Sequence, residues 1–273
     1  MEHLLSAWAK VARQLKETNH VLLLTDYDGT LTPIVERPEL ASLSENTRKL
    51  LAALAGNRKF TVGVISGRSL SDLKDKVRVS NIIYAGNHGL EIEGPGWRFV
   101  SPLAQEFKPI LRLIRYVLNR VLSTIRGVLV EDKELTLSVH YRMVAPDKTE
   151  EVKSAVTQVV SGAQAAGKVR LTSGKKVFEV RPAIQWDKGK ALKMLIEKYG
   201  SRYRKALVMY LGDDLTDEDG FKVIEEYENG ISIYVGEEGE EVRESAARYY
   251  LKSPAEVTNF LAMLAKQSQR GFK

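Results

Sequence analysis

VLLLTDYDGT, residues 21–30, changes character at its midpoint. Four apolar residues run without a polar break, as in a strand buried on both faces. Two aspartates two positions apart, Asp26 and Asp28, then precede Gly29. Side by side, two carboxylates repel. A metal ion, a proton or the bulk water of a surface turn would each compensate them.

Working outward, the same rhythm repeats. SENTRKLLAALAG (44–56) carries a Ser44 cap, helical apolar spacing and a closing Gly56. KFTVGVISGRS (59–69) is a second buried strand ending in a polar turn, SLSDLKDKV (69–77) a short helix, and NIIYAGNHG (81–89) a third strand. Such alternation predicts a doubly wound parallel sheet with crossover helices, an α/β Rossmann-like core. From Leu103 to Val180 the rhythm becomes helix–strand–strand, twice: a long helix PLAQEFKPILRLIRYVLNRVLSTI, then GVLVEDK and ELTLSVHYR, a helix over 147–166, then KVRLTSG and KKVFEVR. An inserted α+β lid is therefore expected over 103–180. The catalytic core is expected to comprise 1–102 and 181–273, with the doubly wound pattern resuming through KALVMYLGDDLTDED and ISIYVG.

Composition narrows the function classes. With 41 Lys and Arg against 35 Asp and Glu, the net charge is +6, but bases and acids are intermixed. There is no basic–aromatic interleaving or finger-like spacing, so no nucleic-acid partner is expected. A modest positive balance suits an anionic small molecule equally well. No apolar run approaches the ~20 residues that span a bilayer, so no membrane partner is expected. The first twenty residues, MEHLLSAWAKVARQLKETNH, are too evenly charged for a signal peptide and read as an amphipathic helix. A cytoplasmic location is the resulting expectation. The absence of cysteine excludes disulfides, thiolate metal sites and cysteine nucleophiles.

Four polar clusters each follow an expected core strand: Asp26/Asp28, Ser66-Gly67-Arg68, Asn87-His88-Gly89 and Asp213/Asp214/Asp217. Lys188 opens a helix in RPAIQWDKGKAL. Open parallel sheets gather their working residues at the carboxyl ends of strands. Two acidic clusters meeting there make an oxygen-rich site, and hard oxygen donors favour magnesium over zinc. Magnesium in turn suggests phosphoryl chemistry.

Taken together and in this order, DYDGT, VISGR, Lys188 and GDDLTDED resemble the haloacid dehalogenase superfamily of phosphatases. The resemblance implies that Asp26 attacks phosphorus and forms an aspartyl-phosphate, while Asp28 protonates the leaving alcohol and then deprotonates water. Ser66 and Lys188 would hold the phosphoryl oxygens. Magnesium would sit on Asp26, the Asp28 backbone carbonyl and Asp213, supported by Asp214 or Asp217.

The leaving group would be chosen by the inserted region. Alternation in ELTLSVHYR puts Leu135, Leu137, Val139 and Tyr141 on one face and Thr136, Ser138, His140 and Arg142 on the other. With Glu131, Lys133 and Glu179, the polar face becomes a floor suited to a ligand with many hydroxyls. GNHGLEIE, Glu131 and Lys133, HYR (140–142), GKKVFEVRP and GDDLTDEDGF resemble trehalose-6-phosphate phosphatases along nearly the whole chain. This implies that Asn87, His88, Glu131, Lys133 and Glu179 contact the sugar, with Arg68 and Arg142 as helpers. It also implies coupling to a separate trehalose-phosphate synthase, since no synthase domain is visible in this chain. A phosphatase for a glucosylglycerol, mannosylglycerate or sucrose phosphate remains an alternative. So do, from other classes, a phospho-accepting signalling domain and a silent sugar-phosphate binder.

Overall fold

The computed structural model describes residues 1–200, 205–237, 239 and 243–270. In chain order, a two-residue strand β1 (Glu2–His3) precedes α1 (Trp8–Glu17), β2 (His20–Thr25), α2 (Glu45–Ala55), β3 (Phe60–Ile65), α3 (Leu70–Val77) and β4 (Ile83–Gly86). Next come β5 (Glu91–Gly94), β6 (Trp97–Val100), α4 (Pro102–Glu106), α5 (Lys108–Val121), β7 (Leu129–Asp132), β8 (Leu137–His140) and α6 (Thr149–Ala165). The chain continues through β9 (Val169–Gly174), β10 (Val177–Pro182), α7 (Lys188–Leu195), β11 (Ala206–Gly212), α8 (Glu218–Glu225), β12 (Gly230–Val235), β13 (Tyr249–Leu251) and α9 (Pro254–Arg270).

Two compact units result: Met1–Arg98 with Trp186–Lys273, and Phe99–Gln185. The first is built on a nine-stranded sheet ordered β1-β13-β12-β11-β2-β3-β4-β5-β6. The sheet is parallel from β1 to β4 and turns antiparallel at β5. β2 is buried at every position and lies between β11 and β3, with Thr25 opposite both Leu211 and Val64. The apolar run therefore sits at the centre of the sheet, and the aspartates that follow it emerge beside the end of β11.

The second unit has its own antiparallel sheet, ordered β7-β8-β10-β9. Leu137, Val139, Phe178 and Val180 point from it into a core with Leu111, Ile114 and Leu118 of α5 and Val152, Val156 and Val160 of α6. Period-2 alternation therefore decides the two faces, as the sequence predicts.

Three details depart from the sequence expectations. Within the first twenty residues the helix covers only Trp8–Glu17, while Glu2–His3 pair with Tyr249–Tyr250 as an edge strand. Two residues are too few to show a periodicity. The long helix expected over 102–125 breaks at Phe107 (φ −89°, ψ −5°), and Pro109 lies in the first turn of the second segment. A proline there lacks the N–H of a continuous helix, and its ring would clash with the carbonyl four residues back. Finally, EIEGPGWRFV forms β5 and the edge strand β6, which the alternation of strand and helix did not anticipate.

Candidate active site

Asp26 leaves β2 with its backbone N–H donating to the Leu211 carbonyl at 2.8 Å, so the first acidic loop starts tied to the end of β11. Asp26, Asp213 and Asp217, all buried, each bring a carboxylate oxygen within 4.8 Å of the others. Lys188, the first residue of α7, donates from Nζ to Asp26 Oδ1 and to Asp217 Oδ1, at 2.7 Å each. The remaining Asp217 oxygen accepts the backbone N–H groups of Asp213 and Asp214 at 3.1 Å, and Tyr210 donates its hydroxyl to Oδ1. Asp217 thus ties strand, loop and lysine together. Asp214 is turned locally, accepting both the N–H and the hydroxyl of Thr216.

Burial dominates the electrostatics. It raises the Asp26 carboxyl well above its usual 3.8; Lys188 opposes the rise, and Asp217, Asp213 and Asp214 add to it. Asp217 is pushed up to about 6 by the same burial against the pull of Lys188. For Asp214, burial is outweighed by Lys188 and the Thr216 hydrogen bonds, which bring it down to about 2. Lys188 is held well above its usual value: burial works against its charge, but Asp217 and Asp26 more than compensate.

Gly29 closes the turn at φ +80°, where a Cβ would lie 2.1 Å from Asp213 Oδ2. Only glycine meets both the conformation and the close approach. Thr30 is fully buried beside it, and its hydroxyl has no hydrogen-bond partner among the described residues.

Asp28 is the more open of the first pair, its side chain 35% exposed. Arg68 grips it with two parallel bonds, Nε to Oδ2 and Nη2 to Oδ1, both 2.7 Å. Ser66, at the end of β3, is 1% exposed and accepts the Arg68 N–H on its hydroxyl at 3.2 Å. Asn87 and His88 follow β4 in left-handed conformations, φ 50° and 57°. Their N–H groups donate to the carbonyls of Arg68 and Ser66 at 2.7 and 2.8 Å. A Cβ on residue 67 would come within 2.7 Å of His88 Nε2, so Gly67 permits this packing. Backbone strain at two successive residues next to a serine loop is the kind that surrounding structure must enforce.

In the second unit, Glu131, Ser138, Glu179 and Thr172 form one row across the four strands. Lys133 Nζ lies 3.5 Å from Glu179 and 3.9 Å from Glu131, and His140 Nε2 is 2.8 Å from Glu131. Arg181, absent from the sequence expectation, meets Glu179 at 2.9 Å. Arg142 lies beyond the end of β8, is exposed, and donates to the Lys175 carbonyl at 2.7 Å. The polar residues of the floor therefore gather on one face, while Arg142 is engaged elsewhere.

The sequence reading also passed over Tyr210, Asp72 and Glu91. Tyr210 is hidden in an apolar strand run. Asp72 stands four residues after Arg68 on a helix start, the spacing of a helical ion pair, and meets it at 2.6 Å. Glu91 accepts the Asn87 amide and the first N–H of α3 at 2.8 Å each.

Comparisons with known proteins show which family the chain falls in. A family profile described as trehalose-phosphatase matches residues 24–255. A probable trehalose-phosphate phosphatase 3 of Oryza sativa subsp. japonica is 35% identical over 283 residues, covering 98% of this chain and 75% of its own length. The trehalose 6-phosphate phosphatase RA3 of Zea mays is 36% identical over 261 residues, covering 90% and 70%. Among solved structures, the C-terminal domain of the C. albicans trehalose-6-phosphate phosphatase superposes with a TM-score of 0.80 at 26% identity, covering 94% of this chain and 96% of that one. The chain belongs to the trehalose-phosphatase family.

Proposed function

We propose that this chain hydrolyses trehalose 6-phosphate to trehalose and inorganic phosphate through an aspartyl-phosphate on Asp26, with magnesium as its resident ion. The observation that carries the reading is the buried contact of Lys188 with Asp26 at the mouth of β2, in a chain of this family. Asp26 Oδ attacks phosphorus, the bond from phosphorus to the sugar oxygen breaks, and its electron pair leaves with the alcohol. Asp28 gives that oxygen a proton, then takes one from the water that attacks the aspartyl-phosphate and restores Asp26. Lys188 and Ser66 neutralise and orient the phosphoryl oxygens.

The donor set fits a hard divalent ion. Three buried carboxylates face the single ammonium of Lys188, leaving about two negative charges to be met by an oxygen-coordinated cation. Asp26, the Asp28 backbone carbonyl and Asp213 would hold it, with Asp214 and Asp217 orienting the loop. When bound, the ion would lower the repulsion between the nucleophile and the anionic ester. Lys188 by itself neutralises only one carboxylate, so the protein's own charges do not finish this task.

In this reading the unit Phe99–Gln185 is an inserted recognition domain, and Glu131, Lys133, His140 and Glu179 bind sugar hydroxyls. Asn87 and His88 shape the phosphate loop through their backbone contacts with Ser66 and Arg68 and offer side-chain contacts to the sugar. A separate trehalose-phosphate synthase would supply the substrate, and the reaction would run in the cytoplasm. Among the described residues no helix is long and apolar enough to cross a membrane.

The test is phosphate release from trehalose 6-phosphate, glucose 6-phosphate, sucrose 6-phosphate and p-nitrophenyl phosphate, with and without magnesium. A strong magnesium-dependent preference for the trehalose ester is expected. Equal, feeble turnover of all four would remove the substrate from the proposal and leave the phosphatase core.

A further inference from the structure

We infer that Arg68 is a positioning residue for proton transfer: it holds the Asp28 carboxylate in one orientation and is itself fixed by Asp72. The inference rests on the reading of Asp28 as the acid and base of the reaction.

The argument is a count of donors. A guanidinium has five N–H groups in a rigid plane. In Arg68, Nε and Nη2 form the fork on Asp28, Nη1 reaches Asp72 Oδ2 at 2.6 Å, and Nη2 also meets the Pro38 carbonyl at 3.0 Å. Four of the five donors are therefore engaged within the protein, which leaves a single Nη1 N–H for any other contact. The face of the guanidinium is also covered, 5.3 Å above the Tyr27 ring. Arg68 is 6% exposed. It is built into the protein rather than offered to a ligand.

Its anchor is equally fixed. Asp72 lies in the first turn of α3, where Ser69 accepts its N–H at 3.2 Å and the positive end of the helix dipole favours a carboxylate. The backbone on the other side of Arg68 is held by the Asn87 N–H on the Arg68 carbonyl. A chain of charge-assisted contacts thus runs from the start of α3 through Asp72 and Arg68 to Asp28. A two-point fork fixes the plane of the Asp28 carboxylate, which a single contact would leave free to rotate. Proton delivery to the leaving oxygen depends on that aim. A well-placed general acid contributes roughly 10²–10⁴-fold when the leaving group needs a proton, and little when it does not.

The experiment therefore varies only the leaving group, on esters that contain no sugar. kcat/KM is measured for p-nitrophenyl phosphate, whose leaving group departs readily as an anion, and for phenyl phosphate, whose leaving group does so poorly. Wild type is compared with Arg68→Ala, Arg68→Lys, Asp72→Asn and Asp28→Asn, with circular dichroism and melting temperature recorded for each.

In Arg68→Ala the preference for p-nitrophenyl over phenyl phosphate should rise about tenfold or more, with a smaller rise in Asp72→Asn. Arg68→Lys keeps the charge without the fork and should show the same rise; it carries the test if the alanine variant fails to fold. An equal loss on both esters would assign Arg68 to the phosphoryl group, and no loss on either would show that Asp28 does not need the fork. Either result overturns the inference. If Asp28→Asn itself leaves the preference unchanged, the fault lies in the acid–base reading of Asp28 instead.

Discussion

Lys188 and Lys133 each stand between two carboxylates, one in each unit, and they are held differently. Lys188 meets Asp26 and Asp217 at 2.7 Å, whereas Lys133 meets Glu179 at 3.5 Å and Glu131 at 3.9 Å. Both are buried, at 3% and 8% side-chain exposure, so solvent access does not account for the contrast. Short, multiply bonded contacts around Asp217 set the acidic loop in place before any ligand arrives, which is what electrostatic preorganisation requires. The longer contacts of Lys133 can be exchanged for hydroxyl contacts at less cost, because less is lost when a long ion pair is opened. One lysine is held by short contacts and the other by longer ones.

The largest effect should come from the tight region. Asp26→Asn is expected to lower phosphate release by about 10⁴-fold or more, as loss of a nucleophile does, while the melting temperature stays near that of wild type. Folding is preserved because Lys188 keeps Asp217 and because burial already disfavours the Asp26 charge. Readily measured residual turnover in a correctly folded variant would refute the nucleophile assignment and, with it, the contrast between the two lysines.

A second, smaller effect should come from the loose region. Glu179→Ala is expected to lower kcat/KM for trehalose 6-phosphate by about 100-fold, roughly the loss of one or two charge-assisted hydrogen bonds, and to leave p-nitrophenyl phosphate within a fewfold of wild type. Parallel losses on both substrates would mean that the second unit does not select the leaving group.

The smallest effect belongs to neither lysine. His20, at the start of β2, is buried, and burial holds its pKa below the usual 6.5. The fold therefore keeps it neutral while the unfolded chain takes up a proton first. Stability is accordingly complete above 6.5 and falls as the pH drops through that value toward the lower folded pKa. In His20→Gln the melting temperature should be less sensitive to acid between pH 7 and pH 5, by about 2 °C or less. An unchanged slope would place the acid sensitivity elsewhere, with the carboxylate cluster the first region to test.

The two regions were not equally legible. The core strands announce themselves as apolar runs, and the acidic motifs can be read because their residues are neighbours in sequence. That β2 and β11 are neighbours in the sheet is a property of topology, and only their pairing brings Asp26 and Asp213 together. The contact of Arg68 with Asp28 spans forty positions, and no local pattern records such a contact. Asp72, by contrast, stood at helical spacing from it and was open to reading. Tyr210 carries its hydroxyl within an apolar run, so its contact with Asp217 left no periodic signal. In the second unit, alternation together with apolar faces packed on the helices puts Glu131, Ser138, His140 and Glu179 on one face, while Arg142 lies past the end of the strand at His140.

The central place of β2 also bears on how the protein is made. A ribosome completes this strand roughly 190 residues before it finishes β11, and chains emerge at about 5–20 residues per second. For all that interval one edge of the strand waits without the neighbour that will carry Asp213. The intervening residues include the whole of the second unit, which has its own hydrophobic core and can condense first. A nascent chain arrested before residue 206 would thus carry the second sheet and Asp26 but neither Asp213 nor Asp217, with a bare apolar strand edge exposed to aggregation.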